Sequence, residues 1–132
     1  MESPKKNSGS SLPRLLLVED DADILELLSG LLKKNGYEVV VCNDGNKAVR
    51  AFKEGQYDLV ILDCMLQGKN GYAICQEIRL IEGQKRTPVI FLSALAQKLE
   101  IAKGLEVGGD VYITKPYDNA HLLAEIKRLL SR

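Results

Sequence analysis

Four polar sites in the chain each follow an apolar stretch of β-forming residues, and their residue types are those that handle phosphate and divalent cations. The acidic run EDD at residues 19–21 follows LLLV, and Asp63 follows LVIL. Ser93 follows VIFL, and Lys115 follows VYIT. Unbroken apolar runs of this length are typical of buried parallel strands. Parallel strands end at one edge of their sheet, so these side chains are expected to converge there.

The chemistry predicted for this edge is metal-assisted phosphoryl transfer. Three adjacent carboxylates repel one another, and a hard divalent cation with oxygen ligands is a natural reason for them to occur together. Mg²⁺ fits best, because it takes one or two carboxylates and keeps waters that an incoming phosphate can replace. Lys115 would pair with phosphoryl oxygens, and Ser93 would donate a hydrogen bond. Asp63 would be the nucleophile that forms an aspartyl phosphate.

Each of these residues also has a purely structural interpretation when it is taken alone. Asp63 can cap its strand, because Asp is common at turns. The acids at 19–21 can be a charge cluster at a helix N-terminus, favoured by the helix dipole. Ser93 can be a loop hydroxyl, and Lys115 can point into solvent. Their joint occurrence after successive strands favours the functional interpretation over these separate ones.

The elements that position these residues alternate as strand and helix five times. Strands are predicted at 14–18, 37–42, 58–62, 89–92 and 111–113, and helices at 22–34, about 45–54, about 71–82, roughly 96–107 and 118–130. Apolar side chains recur at the helical period in the first helix, at Ile24, Leu27, Leu28, Leu31 and Leu32. In the third helix they share one face at Ile74, Ile78 and Ile81, and we expect both apolar faces to be buried. This alternation predicts an α/β domain, a doubly wound five-stranded parallel sheet with helices on both faces.

Length, charge and cysteine content exclude several classes of protein. The chain has 132 residues, 45% of them hydrophobic, which predicts one domain at 13–132 after a disordered lead or linker at 1–12. Eighteen basic and 18 acidic residues give no net charge, so we expect neither direct nucleic-acid contact nor a membrane partner. Three cysteines without a C-x-x-C pair indicate buried thiols in a reduced, cytoplasmic setting.

With these residues in place, the chain resembles the CheY-like response-regulator receiver domains of two-component signal transduction. The resemblance runs from about Arg14 to Arg132. It rests on the stretches LLLVEDD, DLVILDCMLQGKNGY, PVIFLSA and GGDVYITKPY taken together. It implies a flavodoxin-like strand order of 2-1-3-4-5. It also implies a cis peptide bond between Lys115 and Pro116.

The resemblance assigns a role to each residue of the acidic pocket. Asp63 is the implied phosphoacceptor, and Lys115 contacts the phosphoryl group. The implied Mg²⁺ ligands are Asp20, Asp63 and the backbone carbonyl of Met65. Glu19 completes the acidic pocket and acts on the metal through water.

The resemblance further implies a switch and its partners. Ser93 and Tyr112 are the implied switch residues: phosphorylated Asp63 draws Ser93 inward, and Tyr112 follows. The surface formed by the fourth helix, fifth strand and fifth helix then changes its affinity for a downstream effector protein or output domain. The implied phosphoryl donor is a cognate histidine kinase or histidine phosphotransfer protein. No enzymatic activity is expected beyond self-phosphorylation and self-dephosphorylation on Asp63.

Some positions depart from the usual pattern of these domains. Gln67 replaces the proline expected in the loop after the phosphoacceptor. Met65 and Leu95 occupy the two positions that tune phosphate loss in the family, and because both are apolar we expect a long-lived phosphoryl state. Val111 and Glu125 stand where the transcription-factor branch carries Asp and Arg for a symmetric dimer, so that dimer is not expected.

Three alternative functions remain to be weighed. A phosphatase of the haloacid-dehalogenase type needs a second Asp where Met65 stands. A flavin or nucleotide carrier needs a Gly- or Ser-rich phosphate loop after the first strand, where the acids at 19–21 would repel the anion. A receiver-like interaction module that is not phosphorylated is the remaining alternative, and only chemistry can separate it from a working receiver.

Overall fold

The computed structural model describes residues 12–66, 69–83 and 85–132. Its strands are β1 (Arg14–Val18), β2 (Glu38–Cys42), β3 (Leu59–Asp63), β4 (Val89–Ser93) and β5 (Val111–Thr114). Its helices are α1 (Ala22–Lys34), α2 (Gly45–Glu54), α3 (Gly71–Glu82), α4 (Lys98–Glu106) and α5 (Asn119–Leu130). The predicted alternation is confirmed, with bounds that differ by at most two residues. The predicted lead at 1–12 lies, except for Leu12, outside the described residues, and so do Gln67 and Gly68.

The five strands form one parallel sheet in the order β2-β1-β3-β4-β5. Strand β3 is the central strand, and all five of its residues are buried. Because alternate side chains of a strand point to opposite faces, each strand contributes to two separate cores. The doubly wound architecture and the implied strand order are both confirmed.

The two cores divide the helices between the faces of the sheet. On one face, Leu15 and Leu17 of β1 pack with side chains of α1 and α5. On the other face, Leu16 and Val18 pack with side chains of α2 and α3, and Val107 at the end of α4 joins them. The three cysteines are free and buried within or beside these cores, as the sequence predicted.

Two predicted core positions are wrong. Leu27 of α1 is 75% exposed and Ile81 of α3 is 36% exposed. Both helices bury a narrower stripe than their apolar periodicity suggests, because each contacts the sheet along one line while its flank faces solvent. Leu27 lies on such a flank and lines a surface groove beside Pro116 and Tyr117.

Side-chain caps begin α1, α2, α3 and α5 at the carboxyl edge of the sheet, whereas α4 starts without one. Asp21 Oδ1 accepts hydrogen bonds from the backbone N–H groups of Asp23 and Ile24 at 3.0 and 3.1 Å. Asp44 and Asn70 cap α2 and α3 in the same way. Such caps satisfy backbone donors that a helix start leaves unpaired.

A hub centred on Arg79 ties together three elements at the opposite, amino-terminal edge of the sheet. Its guanidinium donates to the carbonyl of Gly108 in the α4–β5 turn and, at 2.7 Å, to the carbonyl of Thr87 before β4. It also forms ion pairs with Glu82 at 2.7 Å and Asp110 at 3.2 Å. The end of α3, the start of β4 and the end of α4 are therefore held together there.

In the part of the chain that the structure describes, no helix is both long and apolar enough to cross a lipid bilayer.

Candidate functional site

The predicted site residues meet at the carboxyl edge of the sheet. Asp63 is the last residue of β3, and its backbone pairs with Leu92 of β4. Ser93 ends β4 opposite Thr114 of β5, and Lys115 follows directly. Glu19 follows β1, and its N–H donates to the Cys42 carbonyl at 3.0 Å. The convergence inferred from the parallel strands is therefore present in the structure.

Lys115 joins the two buried carboxylates of the site. Its Nζ atom lies 2.8 Å from Oδ2 of Asp63 and 3.0 Å from Oε1 of Glu19. The Asp63 and Glu19 side chains are 10% and 5% exposed, and the lysine side chain is 21% exposed. An ammonium group between two carboxylates compensates charges that burial alone would make costly. The peptide bond between Lys115 and Pro116 is cis, as the resemblance implied.

The electrostatics of Glu19 and Lys115 reflect this shared burial. Desolvation raises the pKa of Glu19 above its usual value, although hydrogen bonds from Lys115 and from the Asp21 N–H act in the opposite direction. Burial by itself would lower the pKa of Lys115, but hydrogen bonds to Asp63 and Glu19 outweigh it, so that pKa is raised. Lys115 therefore remains a cation throughout the physiological pH range.

The three acids that follow β1 have different roles. Glu19 turns inward to Lys115, and its Oε2 accepts from the Asp21 N–H at 3.1 Å. Asp21 caps α1, so the helix-terminus interpretation is correct for this residue. Asp20 is exposed between them. Asp20 takes part neither in the cap, which Asp21 provides, nor in the ion pairs of Lys115.

Contacts to both carboxylate oxygens and close packing around its backbone hold Asp63 in place. Its Oδ1 accepts from the Met65 N–H at 2.9 Å, while Oδ2 pairs with Lys115. A Cβ atom added to Gly71 would lie 2.2 Å from the backbone oxygen of Asp63, so only glycine allows α3 to begin here. The N–H of Gly71 donates to the Cys64 carbonyl at 3.0 Å. The end of β3 and the start of α3 therefore form one packed unit.

The donor set at this edge fits Mg²⁺. Across residues 12–66, 69–83 and 85–132, no three His, Cys, Asp or Glu side chains form a cluster able to hold a metal by themselves. Mg²⁺ does not require such a cluster, because one or two carboxylates and several waters satisfy it. Asp20 and Asp63 lie at the carboxyl ends of the neighbouring strands β1 and β3, and Met65, two residues after Asp63, has a backbone carbonyl to offer. These oxygen donors suit a hard cation and not zinc.

Ser93 and Tyr112 both contact the backbone of Leu95 in the β4–α4 loop. Ser93 is fully buried, and its Oγ accepts from the Leu95 N–H at 3.1 Å. The Tyr112 hydroxyl donates to the Leu95 carbonyl at 2.7 Å, and its ring packs against Phe91 with centroids 5.9 Å apart. The aromatic ring thus already lies inward, next to the loop that follows Ser93.

Tyr72 also adjoins this site, although it was not among the predicted site residues. Its side chain is buried, and its hydroxyl lies 3.5 Å from that of Tyr112 and 3.1 Å from Oε1 of Glu100 in α4. No local pattern marks this residue, because its partners lie 40 and 28 positions further along the chain. An aromatic residue next to the glycine that starts α3 is the one signal that the sequence offered.

Comparison with known proteins places this geometry in a family. The model of the response regulator receiver domain matches residues 15–127. The DNA-binding response regulator MtrA of Mycobacterium leprae is 38% identical over 119 residues, which cover 90% of this chain and 52% of that protein. MtrA of Mycobacterium tuberculosis is equally similar, with 51% of its length covered. The chain thus spans about half the length of these curated relatives.

Solved structures agree in fold. The receiver domain of the sensor histidine kinase PA1611 from Pseudomonas aeruginosa, solved with a magnesium ion coordinated in its active site cleft, is 32% identical. The match covers 92% of this chain and 100% of the PA1611 receiver domain, and the TM-score is 0.85. The receiver domain of Francisella response regulator 1452 is 30% identical, covers 91% and 98% of the two chains, and has a TM-score of 0.85. Sequence and fold agree, and the chain belongs to the response regulator receiver domains of two-component signalling.

Proposed function

We propose that this receiver, at residues 13–132, accepts a phosphoryl group on Asp63 from a histidine kinase or histidine phosphotransfer protein in a Mg²⁺-dependent reaction. The observation that carries the proposal is the ammonium group of Lys115, which bridges Asp63 and Glu19 at 2.8 and 3.0 Å. A cation held against a carboxylate at the carboxyl edge of the sheet is suited to stabilise the charge of an entering phosphoryl group.

In this reaction the main role of the chain is to position the phosphoryl group against Asp63. An oxygen of Asp63 forms the new P–O bond while the P–N bond of the donor phosphohistidine breaks, and the imidazole leaves with the electron pair. The Lys115 ammonium group, paired with the carboxylate before the reaction, pairs with a phosphoryl oxygen after it. The Ser93 hydroxyl donates a hydrogen bond to a second phosphoryl oxygen. Asp20, Asp63 and the Met65 carbonyl would hold Mg²⁺, with Glu19 acting through water. That ion would offset the charge on the phosphoryl oxygens.

Phosphorylation then changes the populations of two arrangements of α4, β5 and α5. Ser93 follows the phosphoryl group, and the loop at Leu95 moves with it, because Ser93 and Tyr112 both hold that residue. The surface that responds presents exposed apolar side chains such as Leu99 and Leu105. We propose that it binds a downstream effector protein or output domain. The MtrA relatives are named as DNA-binding proteins, but we propose no direct nucleic-acid contact for this chain, whose formal net charge is zero.

Intact mass measurement after incubation with Mg²⁺ and acetyl phosphate tests the proposal. The wild type should gain one phosphoryl group, and Asp63→Asn should gain none. The matched control is Asp58→Asn, because Asp58 is a buried carboxylate at the opposite end of β3 that accepts from the Arg14 N–H at 2.7 Å. This control should be labelled like the wild type. No gain in the wild type, with Mg²⁺ still bound, would instead identify an interaction module that works without phosphorylation.

A further inference from the structure

Tyr72 stands between the proposed switch residue Tyr112 and helix α4. The Tyr72 ring packs on Phe91 with centroids 5.5 Å apart, and Phe91 in turn packs on Tyr112. The Tyr72 hydroxyl faces three oxygens: the Glu100 carbonyl at 3.2 Å, Glu100 Oε1 at 3.1 Å and the Tyr112 hydroxyl at 3.5 Å. One buried side chain of α3 therefore contacts both β5 and the first turn of α4.

The protons available to these oxygens make the two contacts of Tyr72 depend on each other. A tyrosine hydroxyl has one proton to donate, and the carbonyl and carboxylate of Glu100 can only accept. Tyr112 gives its proton to the Leu95 carbonyl at 2.7 Å, so its oxygen is an acceptor for Tyr72. If Tyr112 releases Leu95, its proton becomes available to Tyr72. The single proton of Tyr72 then goes entirely to Glu100.

Tyr112 also contacts the segment that carries the phosphoacceptor. The Sγ atom of Cys64, the residue after Asp63, lies 3.7 Å from the Tyr112 hydroxyl. Burial, together with the hydrogen bonds to Tyr112 and Cys64, raises the pKa of Tyr72, so its hydroxyl keeps the proton that it donates. The chain of contacts from Cys64 through Tyr112 and Tyr72 to Glu100 is therefore continuous.

Helix α4 also touches both tyrosine rings. A Cβ atom added to Gly104 would lie 2.8 Å from the Tyr112 ring, so the backbone of α4 packs directly on it. The ammonium group of Lys103 lies 4.7 Å from the centre of the Tyr72 ring, within the range of a cation–π contact. The helix therefore rests on Tyr112 and Tyr72 together, and a change at one alters the contacts of the other.

We infer that Tyr72 is a positioning residue that couples the hydroxyl of Tyr112 to α4 through its hydrogen bond to Glu100, so that phosphorylation of Asp63 reaches the partner surface by way of this tyrosine pair. The inference rests on the proposed function, because it concerns how that phosphorylation is transmitted.

The test compares Tyr72→Phe with the wild type by amide NMR before and after phosphorylation with Mg²⁺ and acetyl phosphate, with intact mass recorded on the same samples. The variant keeps the ring and its contacts with Phe91 and Lys103 and loses only the hydroxyl. The phosphorylation-induced shift at Leu95 should persist. The shifts at Glu100 and Lys103 should shrink, with a roughly 2- to 30-fold change in the ratio of the two arrangements of α4.

The matched control is Tyr57→Phe. The Tyr57 ring is buried, and its hydroxyl donates only to the Ala51 carbonyl of α2 at 3.3 Å among the hydrogen bonds described. This variant loses a similar hydroxyl and should respond to phosphorylation like the wild type. Phosphorylated Tyr72→Phe with unchanged shifts at Glu100 and Lys103 would overturn the inference alone. A wild type that gains no phosphoryl group would overturn the proposed function and this inference with it.

Discussion

The ammonium group of Lys115 lies 2.8 Å from Oδ2 of Asp63, although 52 positions separate the two residues in the chain. Their strands, β5 and β3, are not neighbours in the sheet, because β4 lies between them. The flexible four-carbon stem of the lysine therefore reaches past the end of β4, where Ser93 is buried. The ion pair therefore links two elements that share no backbone hydrogen bonds.

Replacing Lys115 by Met should destabilise the domain at neutral pH. Two buried carboxylates then lose their shared cation, at a cost of about 1–3 kcal/mol, less than for a fully buried pair because the lysine is partly exposed. The pKa of Glu19 is already raised by burial and would rise further without the lysine, so the loss should shrink as pH falls and Glu19 takes up a proton. Urea unfolding at pH 7 and pH 5 measures this. Lys33→Met, at an exposed site on α1, should change little.

Mg²⁺ should stabilise the folded domain, and Asp20 should be needed for it. Linkage predicts about 2.7 kcal/mol when free Mg²⁺ exceeds its Kd about 100-fold, visible as a higher Tm that EDTA reverses. Asp20→Asn should lose most of this rise and still fold, because the side chain is exposed. Asp23→Asn, which removes an exposed carboxylate in the first turn of α1, should keep it. An equal rise in both variants would contradict the assignment of Asp20 as a ligand.

The phosphoryl group on Asp63 should be long-lived. Met65 is 60% exposed beside the phosphoacceptor, and Leu95 is half-buried. Neither side chain can orient a water for attack. Met65→Asn should shorten the lifetime, measured by intact mass after acetyl phosphate is removed. Leu80→Asn, an equally polar change on the far end of α3, should not. Loss of the label from the wild type within seconds would contradict this prediction.

Two glycines in helices should respond oppositely to alanine. Gly30 in α1 has no atom within 4 Å of an added Cβ, so Gly30→Ala should stabilise the domain by about 0.5–1 kcal/mol through helix propensity. At Gly104 the added Cβ would lie 2.8 Å from the Tyr112 ring, and overpacking of about 1–3 kcal/mol outweighs that gain. Denaturant unfolding of the two variants compares them directly. A stable Gly104→Ala would show that α4 can move away from Tyr112 at little cost.

The tyrosines should titrate abnormally in the folded domain. Burial raises the pKa of all five, which are Tyr37, Tyr57, Tyr72, Tyr112 and Tyr117. The unfolded chain therefore loses phenolic protons first. This contribution to stability is complete below the ordinary tyrosine pKa, about 10, and disappears as pH rises through the folded values. Phenolate absorbance of native protein should lag that of protein unfolded in guanidinium chloride, and coincident curves would contradict the prediction.

The helices and strands are predictable from the sequence because their periodicity is local. β1 and α1 appear at the predicted bounds, and Asp63 ends its strand as expected. Spatial strand order is not local, and only the resemblance supplied it. The different roles of Glu19, Asp20 and Asp21 could not be predicted from the sequence either. It depends on how the chain rotates as it leaves β1, which residue types do not reveal.

Side-chain contacts between segments that are distant in the chain were the hardest feature of the structure to predict from the sequence. In the sequence, nothing distinguishes Tyr72 from an ordinary aromatic core residue of α3. Its hydroxyl partners become visible only when α4 and β5 are placed against α3. The exposure of Leu27 is a similar case, since a helical stripe shows which side chains are apolar and not how wide a surface the sheet offers them.

The Arg79 hub bears on how α4 can move. Hydrogen bonds to the Gly108 carbonyl fix the carboxyl end of that helix to α3 and β4, while its amino end adjoins the loop held by Ser93 and Tyr112. Nine residues span about 13 Å, so a tilt of about 10° displaces the amino end by about 2 Å and leaves the carboxyl end in place. We therefore expect α4 to tilt about its carboxyl end and not to shift along its axis. The largest displacement would then fall on Leu99 and its neighbours.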